Sequence, residues 1–240
     1  MILRKWEDLP TRMQTPEVER YYNILKRKKA QLLIKRISDV LISGVLLVLL
    51  SPVFAVTALA IKLDSRGPVF YRQVRVTQYA ERFSIFKFRS MVTDADKGIQ
   101  LTVNNDSRIT RTGRFIRRLK IDELSQLIDV FRGTMTFVGT RPEVPKYVEK
   151  YTDEMMATLL LPAGITSLAS VYYKDENQLL DAADDPEGMY LETVLPDKMY
   201  YNLKAIEEFG LVEELKILIM TVLAVIGMDF AKKESQTIKK

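Results

Sequence analysis

The sequence predicts an α+β protein, mostly helical with a few short strands, that carries an apolar helix bent back on itself in a membrane. Three observations lead there. An apolar run over 41–61 is broken at its centre by Ser51-Pro52 and has Lys and Arg on both sides. Helical periodicity recurs over 109–132 and 211–226. Short β-like runs at 69–71 and 83–88 are preceded by the turn Asp64-Ser65-Arg66-Gly67-Pro68.

The elements follow in chain order. Thr15-Pro16-Glu17 reads as N-cap, first helical position and first-turn acid. The helix it opens continues through the basic stretch to Arg36 and into the apolar run with little interruption. That run is long enough for the roughly 30 Å hydrocarbon core, so the simplest reading is one crossing helix. Pro52 argues against a straight rod, because it has no N–H and crowds the carbonyl of Val48. Ser51 stands where its hydroxyl can bond the freed carbonyl, as a backbone break in lipid requires.

Lys26, Arg27, Lys28, Lys29, Lys35 and Arg36 precede the run, and Lys62, Arg66, Arg72 and Arg75 follow it. Cationic flanks at both ends place both on the cytoplasmic face. Ten residues of helix rise only about 15 Å, half the core. A hairpin that enters and returns fits these features better, although prolines also occur in spanning helices.

Beyond the strands, 93–106 reads as a polar loop and 109–132 as a helix ended by Gly133. Residues 177–187 read as an acidic loop. The apolar stretch 211–226 reads as a helix lying on the membrane or packing on the core, and 231–240 as a disordered tail.

Composition narrows the chemistry. The 240 residues contain no cysteine and no histidine, which removes thiolate metal sites, the commonest zinc ligand and the commonest general base. Catalysis must rest on carboxylates, Lys, Arg, Tyr, Ser or Thr, or on a hard metal held by oxygen. The polar, charged N-terminus shows no signal peptide. A net charge of +5 and a pI near 9.2 suit an anionic partner. The chain has no recognisable nucleic-acid reader, and its basic residues cluster beside the apolar run, which favours membrane lipids and lipid phosphate over nucleic acid.

Arg108, Arg111, Arg114, Arg117 and Arg118 recur every third or fourth residue, one cationic stripe if helical. Asp122-Glu123 then opens a run with helical core spacing. Asp122 could be a plain N-cap; a carboxylate beside a cationic stripe is also suited to attack phosphorus or to ligate Mg²⁺. Lys87-Phe88-Arg89 sets two cations around an aromatic at a strand end, and Gly139-Thr140-Arg141-Pro142 is a turn presenting one arginine.

In order, these pieces resemble the bacterial sugar transferase family, the monotopic polyprenyl-phosphate phosphoglycosyltransferases. The resemblance rests on Ser51-Pro52, Ser65-Arg66-Gly67-Pro68-Val69-Phe70, Lys87-Phe88-Arg89-Ser90-Met91, Asp122-Glu123-Leu124-Ser125-Gln126-Leu127, Gly139-Thr140-Arg141-Pro142 and Gly164-Ile165-Thr166, and covers about 35–166. Thr140 stands where that family usually has proline, Ala163 where it has proline, Ser167 where it has glycine, and Thr77 where it has glycine.

The resemblance implies a Ser51-Pro52 helix that re-enters the membrane without crossing it. It also implies Asp122 as nucleophile with Glu123 beside a Mg²⁺ that both carboxylates would ligate. Lys87, Arg89, Arg108, Arg114, Arg117 and Arg141 are then expected to bind substrate phosphates. The implied substrates are a UDP-sugar and undecaprenyl phosphate at the inner membrane of a bacterium. Which sugar, and whether the chain forms a homo-oligomer, stay open. The expected division is a basic helical segment 1–36, a re-entrant helix 37–62, a cytoplasmic catalytic domain 63–230 and a tail 231–240.

Overall fold

The computed structural model describes residues 3–92 and 108–230. The loop expected at 93–106 and the tail at 231–240 lie outside the described residues. Helix α1 (Pro16–Arg27) starts as anticipated, with the Thr15 hydroxyl accepting from the Val18 N–H at 3.5 Å. Only Lys28 separates it from α2 (Lys29–Leu49), and only Leu50 separates α2 from α3 (Ser51–Asp64). The two are bent by 60° at the break, and Ser51 Oγ donates to the orphaned Val48 carbonyl at 2.8 Å. No single described helix is long and apolar enough to cross a membrane; the bent pair together meets that length and composition.

The N-terminal half of α2 is part of the globular domain. Buried Asp39 accepts from Thr136 Oγ1 at 2.6 Å. Two flanking cations that the sequence assigned to the membrane surface are structural instead. Buried Lys35 donates to the Val138 carbonyl (3.0 Å) and to Glu214 (2.7 Å). Arg36 donates to the carbonyls of Val130 and Phe131 at a helix C-terminus, where cations are favoured. Beyond them Leu41, Val45, Val48 and Leu49 on α2, and Val56, Leu59 and Leu63 on α3, are exposed.

Strands β1 (Phe70–Val76) and β2 (Arg82–Phe88) pair antiparallel, from Phe70 opposite Phe88 to Val76 opposite Arg82. The first is longer than its apolar residues suggest, because a two-sided ribbon alternates Arg72, Gln73 and Arg75 with them. The helix expected over 109–132 is three: α4 (Arg111–Arg118), α5 (Ile121–Leu124) and α6 (Leu127–Arg132). The first break falls at Lys120, whose φ of 53° is left-handed; the second, at Ser125-Gln126, keeps right-handed backbone. Gly133, at φ 91°, ends α6 as expected.

Strand β3 (Met135–Val138) pairs in parallel with β4 (Ala163–Thr166), with α7 (Pro145–Val148) in the crossover. Then come α8 (Leu168–Tyr172), α9 (Glu176–Asp181) and α10 (Pro186–Met189), so the acidic segment 177–187 is partly helical rather than a loop. Asp185 caps α10 by accepting from the Gly188 N–H. A wide turn, Tyr190–Val194, leads into α11 (Leu195–Glu207), a helix without a sequence-based expectation, and then α12 (Leu211–Val225). The main core joins Val18, Leu25, Met156, Leu160, Leu195 and Met199. Helix α12 packs on α8, β3 and β4 through buried Ile217, and leaves Val212, Leu215, Ile219 and Val222 exposed.

Candidate active site

Phe86 is the joint on which the site is built. Its N–H donates to Asp129 Oδ2 (2.8 Å), and its carbonyl lies 3.0 Å from the hydroxyl of fully buried Ser125. These two bonds lay α5 and α6 along the outer edge of β2, one residue from Lys87. Left-handed Lys120 costs on the order of 1–2 kcal/mol, and redirects the chain so that α5 points its first turn at that lysine. Asp122 is therefore not the N-cap. Lys120 occupies that place and Asp122 is the second residue of the helix, because the chain turns two residues earlier than its sequence suggested.

Two close backbone approaches position the cations. A Cβ at Gly113 would sit 1.9 Å from the Ser90 carbonyl oxygen, so only glycine lets α4 abut the end of β2 and turn Arg117 toward the site. A Cβ at Gly164 would lie 2.2 Å from the Gly139 nitrogen. That approach lets Gly139 N–H reach the Thr166 carbonyl and Gly164 N–H reach the Thr140 carbonyl, both at 2.9 Å. Arg141 follows directly. Arg75 Nη1 donates to the Pro142 carbonyl (3.2 Å) and Val76 N–H to the Glu143 carbonyl (2.9 Å), which ties this turn to β1.

The result is a cleft of about 440 Å³, a size typical of small-molecule sites. Asp122 and Glu123 line it with Arg75, Lys87, Arg117, Lys120 and Arg141. Arg141 donates to Glu123 Oε1, and Lys87 Nζ lies 3.8 Å from the same oxygen. Burial alone would raise the Glu123 carboxyl, but Arg141 and Lys87 outweigh it and hold it down at about 2. Asp122 is raised from the ordinary aspartate value by burial and by the charge of Glu123, with Lys87 and Arg117 opposing. Burial lowers Lys87 to about 8 against the pull of Glu123. One carboxylate is locked by cations, while its neighbour carries a more basic, less engaged charge.

Of the expected phosphate ligands, Lys87, Arg117 and Arg141 line the cleft; Arg89, Arg108 and Arg114 do not. Arg89 is buried, with its guanidinium donating to the carbonyls of Ser65 (2.7 Å) and Arg66 (3.0 Å) beyond the end of α3. Arg108 precedes α4, in a segment bridged antiparallel to Met91, so it is off the helical stripe. Arg114 is on α4 but faces solvent. The sequence overlooked Arg75, Lys120, Glu143, Glu176, Tyr190 and Lys198, all of which line the cleft. Lys120 and Glu143 adjoin motif residues and were within reach. Glu176 and Lys198 come from segments carrying no local signal. Thr77, in place of a family glycine, donates to the Thr134 carbonyl (2.7 Å) and accepts from Ala163 N–H (3.1 Å), joining the ends of β3 and β4.

Comparison with known proteins adds the family context. The model of the family described as bacterial sugar transferase matches residues 30–228. A UDP-glucose:undecaprenyl-phosphate glucose-1-phosphate transferase of Escherichia coli is 34% identical over 179 residues, 72% of this chain and 39% of that protein. One of the same description from Caulobacter vibrioides is 33% identical over 201 residues, 82% of this chain and 71% of the relative. A UDP-N-acetylgalactosamine-undecaprenyl-phosphate N-acetylgalactosaminephosphotransferase of Aeromonas hydrophila is 39% identical over 144 residues, 58% of this chain and 34% of the relative. The chain thus spans about two fifths of the length of the Escherichia coli relative.

Proposed function

This chain belongs to the bacterial sugar transferase family, and from that premise we propose that it moves a phosphosugar from a UDP-sugar to undecaprenyl phosphate, releasing UMP. The observation that carries the reading is the Asp122–Glu123 pair set among Lys87, Arg117 and Arg141 in one cleft. An Asp122 carboxylate oxygen attacks the β-phosphorus, the bond to the bridging oxygen breaks, and UMP leaves with that oxygen. A phosphosugar remains on Asp122. An oxygen of the lipid phosphate attacks the same phosphorus and displaces the carboxylate, leaving undecaprenyl-diphospho-sugar. Neither nucleophile needs a general base, which suits a chain without histidine. The cations act where phosphoryl oxygens gather charge.

Mg²⁺ is expected from the family resemblance, and the donor set suits it. Glu123 Oε1 carries the cationic contacts, so the Asp122 carboxylate and the other Glu123 oxygen would hold the ion. Among the described residues no group of three or more acidic ligands is assembled, so phosphates and water would complete its shell. When bound, it would add positive charge at the phosphoryl oxygens.

UMP release from a panel of UDP-sugars with undecaprenyl phosphate tests the reading; a non-catalytic, lipid-binding scaffold releases none. The same assay across pH should give a bell in kcat/KM. Asp122 must be ionised, so the acid limb is displaced upward from that of an ordinary aspartate. The charge of Lys87 is present below about 8 and lost above it, which sets the basic limb there. Lys87→Arg, which stays charged, should move the basic limb upward; a limb that stays in place assigns it to another group.

The bent pair α2–α3 would be the membrane element, a re-entrant hairpin with both ends on the cytoplasmic side of the inner membrane. Supporting this are the 60° bend, the Ser51–Val48 bond and the exposed apolar arms. The bases of both arms are also tied to one domain, through Asp39 and Arg89. With no native cysteine, Ala30→Cys and Arg66→Cys can be labelled singly in intact cells and inverted vesicles. Both should react from the same side, and opposite sides would refute the hairpin. Pro52→Ala restores the N–H for Val48 and should shift a measurable fraction to opposite-side labelling.

A further inference from the structure

Lys198 is a buried cation that the phosphate chemistry does not use. It extends from α11 into the cleft wall, 4% exposed, with Nζ 2.9 Å from Glu176 Oε2, 3.4 Å from Tyr190 Oη and 3.9 Å from Glu143 Oε1. Tyr190 Oη donates to Glu143 Oε1 at 2.5 Å. All four side chains line the cleft that holds Asp122. Lys198 is shared between the two carboxylates, so this lysine is committed to holding them rather than to binding phosphate. Its remaining chemistry is carboxylate oxygens that accept hydrogen bonds, beside the packed rings of Tyr147 and Tyr190 (centroids 5.1 Å apart). The cleft therefore has a cationic end around Glu123 and a second end that presents carboxylates beside tyrosines. A neutral, hydroxyl-rich group matches the second, because its hydroxyls donate to carboxylates.

The two ends are joined by Arg141-Pro142-Glu143. Residues two apart lie within about 7 Å even when fully extended. Arg141 holds Glu123 beside the nucleophile, so the carboxylate-bearing end is next to the reacting phosphorus. In a UDP-sugar, the sugar is bonded through one oxygen to that phosphorus, whereas the ribose lies beyond a second phosphate.

We propose that Glu143, Glu176 and Tyr190 form the sugar-reading wall of the cleft, with Lys198 as the positioning residue that holds the two carboxylates in place. This rests on the reading of the cleft as a UDP-sugar site. The variant that tests it is Glu176→Gln, on the partly exposed rim, with Tyr190→Phe as a second that keeps the ring and removes only the hydroxyl. The full chain in detergent is assayed for UMP release with UDP-glucose and UDP-N-acetylgalactosamine, and UDP, which has no sugar, is measured as a competitive inhibitor.

KM for the preferred sugar nucleotide should rise on the order of tenfold, as for a lost charged hydrogen bond, with kcat little changed. The preference between the two sugars should shift, and the inhibition constant of UDP should stay within about twofold. Equal weakening of UDP would assign the wall to ribose or to folding and overturn the proposal, as would two folded variants with unchanged KM. A wild-type protein that releases no UMP and binds no UDP would instead remove the transferase reading beneath it.

Discussion

Replacing Asp122 by Asn is expected to reduce UMP release by roughly 10⁴-fold or more, to below detection, as for loss of a covalent nucleophile. Asparagine keeps the shape and loses the attacking oxygen's charge. Folding should survive, and the sign follows from the environment of Asp122. Burial and Glu123 raise its carboxyl, so the folded protein disfavours the ionised form. Removing that charge should leave thermal stability unchanged or slightly higher. Loss of activity with an unchanged melting temperature therefore separates chemistry from structure. Wild type given UDP-sugar alone should also add the mass of a phosphosugar to the peptide containing Asp122. UMP release that strictly required undecaprenyl phosphate, with no such adduct, would favour direct transfer and leave Asp122 as a metal ligand.

Replacing Arg141 by Ala should cost about 1.5–3 kcal/mol of transition-state stabilisation, roughly 10- to 150-fold in kcat/KM. The residue has two tasks, and they can be separated. It is the main countercharge that holds Glu123 near 2, and it faces the cleft where phosphate would bind. If holding Glu123 were its whole role, Arg141→Ala combined with Glu123→Gln would be no worse than either single change. A direct phosphate contact makes the double variant worse than both, which is the expected result. Arg141→Lys should recover only part of the loss, since an ammonium cannot reproduce the planar fork that guanidinium presents to oxyanions. Activity within about twofold of wild type in Arg141→Ala would return this arginine to a purely structural role.

Local chemistry was legible where one or two residues decide it. Thr15-Pro16 starts α1, Ser51-Pro52 makes the bend and its compensating hydrogen bond, and Gly133 ends α6; each outcome is dictated by a missing N–H, a hydroxyl within reach or a positive φ. The carboxylate pair and the cations Lys87, Arg117 and Arg141 were legible as well, because they sit in contiguous motifs whose order can be read along the chain. By itself the sequence thus determined the residue types at the carboxylate-and-cation end of the cleft, and a composition without histidine or cysteine.

Tertiary structure decided which charges face the cleft and which are spent on the backbone. Lys35, Arg36 and Arg89 look like surface or phosphate-binding cations in sequence, yet each donates to carbonyls at the ends of elements. A buried carbonyl left without a donor costs more than an exposed cation gains, so packing claims those side chains first. The stripe 108–118 was split for a related reason: Gly113 lets α4 press against Ser90, and that orientation admits Arg117 while leaving Arg114 in solvent. Lys120 broke a run that reads as continuous helix, because the docking of α5 on Phe86 outweighs the cost of one left-handed residue. Glu143, Glu176, Tyr190 and Lys198 are separated by up to 55 positions in the chain, and only the packing of α9 and α11 against the crossover brings them to one wall. Periodicity reports which face of an element is apolar; which polar side chains meet across elements depends on contacts that no local pattern encodes.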